Sequence, residues 1–321
     1  ALAGGLAWHE LERPLLPAGA TAEVRVFAGS STRAVARQLR AAGVPVNTAE
    51  FVVVATITRT TRSLRAGRYR ITDAANILQI VDKFRRGEVE PEQLTVVEGI
   101  SFADLRAAIA HCPDLRHETS TWTEAQLLHA LGAAEEHAEG LFAPDTYSFD
   151  PGSSDLDLYR QAYRAQHDRL AQAWQSRAQG LPYAAPYEAL IMASIIEKET
   201  GRPEERRQVA SVFVNRQRIG MALQTDPTVI YGLGARYDGH LHKRDLQTDT
   251  PYNTYLRAGL PPTPISLPGR ASIEAALNPD PGKALYFVAR GDGSSEFSTN
   301  LADHNRAVDR YQHPAARGGA H

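Results

Sequence analysis

The sequence predicts an α+β fold. Helical patterns dominate its 321 residues, and the strand patterns come in hairpin-like groups instead of alternating with helices. Composition is ordinary for a globular chain, with 43% hydrophobic and 22% charged residues. No apolar run reaches the roughly 18 residues of a membrane span.

The elements follow in order. A strand at 24–27, helices at 32–42 and 48–58, and a strand at 69–71 make a small β-α-α-β module. Val35, Leu39 and Ala42 keep helical spacing, Gly43 suits the helix C-terminus, and Gly67 breaks the chain before the second strand. The module's topology resembles the LysM carbohydrate-binding unit, and a structural lobe that binds no sugar is an equal reading of it. An amphipathic helix at 74–87 and a strand at 93–99 come next. Ser101 then caps a helix that carries Asp104 at its third position. Residues 113–138 are polar with weak helical patches, and 139–154 read as a turn-rich loop. A helix at 155–179 has no internal glycine or proline.

The last third holds helices at 186–200 and 203–219, then a short helix opened by Asp226 and Pro227. A proline-rich loop (250–268) leads to a helix starting at Ser272. Strands at 285–289 and 296–298 flank a Gly-Asp-Gly turn, and a final helix spans 300–312.

Charge and cysteine content exclude several classes of function. The net charge of −2 offers no field for nucleic acid. A single cysteine, Cys112, excludes an internal disulfide and cysteine-rich metal centres. His240 and His242 have no nearby third ligand and are assigned to solvent. The opening ALAGGLAWHELERPLLPAG lacks an initiator methionine. It reads as a matured N-terminus or as the stub of a trimmed anchor.

The stretch SIIEKETG places two carboxylates at the end of an oily helix. At ~3.6 residues per turn, Glu197 and Glu199 point about 200° apart and cannot form an adjacent dyad. Glu199 lies over Ile195 and Ile196, and further back over Met192 and Ile191, whereas Glu197 lies over Ala193 and Ser194. A carboxyl above apolar side chains loses hydration, which raises its pKa and suits it to general acid work. The helix dipole disfavours both groups by roughly 0.3–1 kcal/mol. Gly201 as C-cap and Pro203 account for the helix end, but not for the glutamates.

Asp226 as N-cap with Pro227 at the first helical position has a structural explanation, while Gln224 and Thr225 beside it have none. In TPYNTYLRAGLPPTPISLPG, Tyr252, Asn253 and Tyr255 stand among four prolines before Ser266. Rigid backbone with tyrosines and an amide suits stacking on sugar rings and bonding to hydroxyls.

These strings, together with VASVFVNRQRIGMALQTDPTVIYG, FSTNLADHN, EGLFAPDTYSF and LTVVEGISFADL, resemble the endolytic murein transglycosylase (YceG-like) family. The resemblance spans roughly residues 24–312 and is densest from 186 onward. It implies cleavage inside peptidoglycan glycan strands at the MurNAc–GlcNAc bond, leaving 1,6-anhydro ends. It makes Glu199 the catalytic acid; by residue type and place in these motifs, Gln224, Thr225, Asp226, Tyr252, Asn253 and Tyr255 are the expected substrate-binding set. It also implies a single N-terminal helix in the bacterial inner membrane, a catalytic part facing the periplasm, and peptidoglycan synthases or division proteins as partners. No metal or cofactor is implied. On this reading residues 1–22 are a membrane-proximal stub and 23–73 the LysM-like module. A connecting region with a long helix follows at 74–185, then the catalytic core at 186–313 and a tail at 314–321. The residues leave two rivals open: a hydrolytic muramidase in which Asp226 or Glu197 activates water, and a non-catalytic glycan-binding scaffold.

Overall fold

A computed structural model describes residues 11–27, 29–62 and 64–312. The expected stub lies outside the described residues up to position 10, and the expected tail lies outside them entirely. Among the described residues no helix is long and apolar enough to cross a membrane.

In chain order the elements are β1 (Thr21–Val26), α1 (Thr32–Ala41), α2 (Thr48–Ile57), β2 (Gly67–Thr72), α3 (Ile77–Arg86), β3 (Glu92–Thr95), α4 (Phe102–Ala110), α5 (Glu124–Leu131), β4 (Thr146–Phe149) and α6 (Asp155–Gln175). They continue with α7 (Pro186–Glu199), α8 (Arg206–Arg218), α9 (Asp226–Leu233), α10 (Arg270–Leu277), β5 (Tyr286–Ala289), β6 (Ser295–Ser298) and α11 (Leu301–Tyr311). The strands form three two-stranded sheets, β1–β2, β3–β4 and β5–β6. Helices with small two-stranded sheets make the fold α+β, as the sequence predicts, although only β5–β6 is a hairpin and the strands of the other two sheets are joined through helices.

The chain divides into two compact units. The first holds residues up to 94 with 112–118 and 148–155, and the second holds 95–111, 119–147 and 156 onward. In the first unit β1 and β2 pair antiparallel, Thr21 opposite Thr72 and Val26 opposite Gly67. Strict alternation along β1 turns Ala22, Val24 and Val26 inward. They meet Val35 and Leu39 of α1, Phe51 of α2, and Ile80 and Phe84 of α3. Phe84 stands edge-on to Tyr69, with ring centroids 4.5 Å apart. The β-α-α-β module thus shares one core with α3.

The second unit is built around α7. Every residue from Ala189 to Ile196 is buried, so this helix is apolar all round, as a central helix must be. It packs against α8, α9 and α10. Its one buried polar side chain, Ser194, accepts from the Ile265 amide at 2.9 Å, while the Ser194 carbonyl accepts from Ser266 Oγ at 3.2 Å. These bonds lash the proline-rich segment to the helix and leave no buried polar atom of Ser194 unmet. Gly140 shows how closely the chain approaches there. Its φ is +81°, and a Cβ would come within 2.5 Å of Pro264.

The helical patch expected within 113–138 is α5, started by a reciprocal capping box between Thr123 and Gln126. Three local expectations are corrected. The helix expected from Ser272 begins at Arg270 behind Gly269, and Ser272 is fully buried within it. The C-cap of α7 is Thr200, not Gly201; its backbone turns extended at ψ 108°, and its hydroxyl donates to the Ile196 carbonyl at 2.7 Å. The N-cap of α9 is Thr225, which puts Asp226 at the first helical position, and neither provides a side-chain cap bond.

Candidate active site

Glu199 is the last residue of α7, above Ile195 and Ile196, both fully buried. The Thr225 hydroxyl donates to its Oε1. A threonine at an N-cap ordinarily turns its oxygen to the helix amides. Here that hydroxyl is committed to Glu199, so α9 starts without a side-chain cap. Other hydroxyls hold the turn: Thr254 Oγ1 accepts from the Thr225 amide at 3.1 Å, and Thr228 Oγ1 donates to the Thr225 carbonyl at 2.8 Å.

Glu199 opens into a cleft of about 510 Å³ whose walls include Arg216, Gln224, Asp226, Tyr255 and Tyr286. Burial pushes the Glu199 carboxyl above its ordinary pKa. The Thr225 hydrogen bond pulls it down, the charge of Asp226 pushes it up, and Arg216 pulls it down again. The net effect is upward, favouring a protonated acid. Gln224 holds a left-handed backbone at φ +50°, a strained state for a residue with a Cβ and one that collects at functional sites. It lines the cleft directly before the residue that grips Glu199.

Arg216 provides a fixed positive charge. It is 8% exposed; Nε donates to the Leu285 carbonyl and Nη1 to the Leu223 carbonyl, both at 2.7 Å. Its guanidinium lies 5.2 Å from the Tyr286 ring centroid. Tyr255 donates its hydroxyl to Asp226 Oδ1 at 2.6 Å, and burial together with that carboxylate raises the phenol's pKa. Tyr255 therefore remains a proton-bearing group at the cleft wall.

The residues named from sequence separate into three groups. Glu199, Gln224, Asp226 and Tyr255 line one cleft, and Thr225 holds Glu199 from behind. Tyr252 and Asn253 do not line it. Tyr252 shares a hydrogen bond with Thr263 at 2.9 Å and meets Tyr231 edge-on at 4.9 Å. Asn253 is fully buried. Its Nδ2 donates to the carbonyls of Leu246 and Thr248 at 3.0 and 2.8 Å, and its Oδ1 accepts from the Tyr255 amide at 2.9 Å. All three bonds shape the loop that presents Tyr255. Asn253→Ala would leave two carbonyls and an amide without partners. We expect it to cost about 3 kcal/mol of stability, read as a lower urea midpoint. A midpoint within error of the unchanged chain would show the amide is dispensable.

Glu197 faces the other way. Its Oε2 accepts from the Gly269 amide at 2.9 Å, and Arg206 Nη2 approaches Oε1 at 3.8 Å. It anchors the start of α10. Sequence reasoning missed Arg216, Tyr286, His304 and Asn305 in the cleft wall. For Arg216 a signal existed: it continues the buried spacing of Val209, Val212 and Phe213 along α8, which places a cation at a core position. No group of three or more potential ligands that could hold a metal occurs among the described residues.

Comparison with known proteins identifies the family. The YceG-like family matches residues 24–310. A Bacillus subtilis protein named endolytic murein transglycosylase is 30% identical over 91% of this chain and 85% of its own length. A protein of the same name from Streptococcus pneumoniae is 27% identical over 76% of this chain, which spans 50% of that longer relative. The crystal structure of a putative yceG-like protein from Listeria monocytogenes superposes with a TM-score of 0.58 at 32% identity, covering 89% of this chain and 98% of that one. With a match across nearly its whole length, the chain belongs to the YceG-like family.

Proposed function

We propose that this protein is an endolytic peptidoglycan lytic transglycosylase, with Glu199 as its single acid–base residue. The observation that carries the reading is the environment of that carboxyl: desolvated, held by Thr225, and open to a polar cleft. The relatives named endolytic murein transglycosylase support it.

Protonated Glu199 donates to the glycosidic oxygen between MurNAc and GlcNAc as the bond to the anomeric carbon breaks. The oxocarbenium-like centre is then attacked by the MurNAc 6-hydroxyl, forming the 1,6-anhydro ring. The proton of that hydroxyl returns to the Glu199 carboxylate, so the acid is regenerated and no water enters. The nucleophile is already part of the substrate, and its proximity supplies acceleration that a hydrolase must obtain by positioning water. Gln224 and Tyr255 offer hydrogen bonds to sugar hydroxyls at the cleft wall.

The protein acts on the cell wall, outside the cytoplasm. The family resemblance supports a finer placement: a single-pass anchor in the inner membrane, a periplasmic catalytic unit, and synthases or division proteins as partners that supply nascent strands.

The rival reading, a hydrolytic muramidase, draws on one observation. Asp226 is not a helix cap but a carboxylate in the cleft beside Glu199. Mass spectrometry of digested glycan strands separates the two. We expect new muramic ends that each lack one water, from the unchanged chain and from Asp226→Asn alike. Reducing ends in bulk would replace the single-acid mechanism with water activation by Asp226.

A further inference from the structure

A second cleft, of about 540 Å³, lies between α6, α8 and α10, and nothing in the reaction above uses it. Its lining includes four arginines from three helices: Arg169, Arg206, Arg207 and Arg270. Glu274 is the one carboxylate in that lining. The volume falls in the range of small-ligand sites, roughly 300–1,000 Å³.

The arginines are incompletely satisfied. Arg206 has only 15% of its side chain exposed, its nearest carboxylate oxygen, on Glu197, is 3.8 Å away, and its Nε is buried without any hydrogen-bond partner. That nitrogen is closed to solvent, so it marks a guanidinium short of partners and is not itself a donor that faces the cleft. Arg270 is exposed and has no ion pair among the described residues. Arg207 engages Asp280 through Nε at 3.1 Å, and its side chain is more than half exposed. Arg169 is the one arginine largely committed, to Asp145 and to the Pro144 carbonyl. The carboxylates of Glu197, Asp145 and Asp280 balance much of the charge. What the cleft holds in excess is therefore directed N–H donors, not net charge. That is the requirement for bidentate recognition of a planar oxyanion.

The cleft's place in the fold suggests which oxyanion. Arg206 stands at the Glu197 side of α7, about 200° around the helix from Glu199. The cleft also reaches Pro203, just past the turn that follows Glu199. A helix is about 10–12 Å across with its side chains. A peptide of five extended residues spans about 17 Å, enough to pass from one face of α7 to the other. We propose that this arginine cleft binds a carboxylate of the stem peptide carried by the glycan strand, so that the enzyme reads the peptide on one face of α7 while it cuts the sugar on the other. This rests on the substrate proposed above.

The test is a calorimetric titration of the whole chain with a soluble stem peptide bearing free carboxylates. The same peptide with its carboxylates amidated and inorganic phosphate serve as comparison probes. We expect the free peptide to bind, its amidated form to bind at least tenfold more weakly, and Arg270→Glu and Arg206→Gln each to lose tenfold or more. Arg270 has no ion-pair partner whose loss could unfold the chain, so its variant keeps the comparison interpretable. Binding that ignores amidation or Arg270, binding of phosphate but not peptide, or no binding at all would overturn the proposal. Digestion of peptide-bearing glycan strands by the same preparation keeps the two readings apart. Cleavage of those strands without binding of the free peptide removes this inference alone, and absence of cleavage removes the reaction itself.

Discussion

Glu199→Gln is expected to reduce glycan strand cleavage by about 10²–10⁴-fold, the usual worth of a positioned general acid. The amide preserves shape and can still accept from Thr225, so the fold and the cleft remain. It has no proton to give to the leaving oxygen, and it cannot take one from the 6-hydroxyl. Both half-reactions fail together. Glu197→Gln provides the control. Its amide oxygen still accepts from Gly269, and only the long pairing with Arg206 is weakened. Activity should stay within a few-fold of the unchanged chain. Equal losses in the two variants, measured as cleavage rates on purified strands, would mean the two faces of α7 do not divide the work. Because protonated Glu199 is the active form, the rate of the unchanged enzyme should fall as pH rises through its raised pKa.

Much of this site was legible in the sequence because helical periodicity is local. The offset of two residues between Glu197 and Glu199 decides which carboxyl lies over isoleucines, and the structure puts Glu199 in the cleft and Glu197 on the Gly269 amide. The strand pair and helices of the first unit were readable for the same reason. What failed depended on tertiary partners. Asp226 next to Pro227 has the composition of a helix cap, yet the cap position is one residue earlier, and Asp226 is bonded to Tyr255, 29 residues away. Tyr252 and Asn253 look like sugar-binding residues by type, but Asn253 is consumed by backbone groups at 246, 248 and 255. No pattern in a single sequence distinguishes an amide that faces solvent from one that folds a loop. Arg216 was hidden because sequence reasoning treats a cation as exposed, while here two carbonyls and an aromatic face compensate its burial.

Glu139, in the string EGLFAPDTYSF, leads to the second large effect, on stability. It is 6% exposed; its Oε1 accepts from the Phe102 amide at 2.9 Å and its Oε2 from the Tyr231 hydroxyl at 3.1 Å. Burial dominates those bonds and pushes its pKa up to about 7, with Glu124 adding a little in the same direction. In the unfolded chain a glutamate titrates near 4.3. Between those two values the folded state keeps a proton that the unfolded state has released. The stabilisation is therefore complete below about pH 4.3 and disappears as pH rises to about 7. A gap of about 2.7 pH units corresponds to about 4 kcal/mol. Urea unfolding across pH 5 to 8 should thus show stability falling as pH rises, and Glu139→Gln should remove most of that slope. Glu199 is raised too and contributes with the same sign, so the comparison belongs in a Glu199→Gln background. There the part of the slope that Glu139→Gln removes is assigned to Glu139, because His304, its pKa lowered by burial, adds a slope of opposite sign. Parallel slopes with and without Glu139 would show that this carboxyl stays ionised in the fold. The Phe102 amide and the Tyr231 hydroxyl would then be strong enough to hold a buried charge.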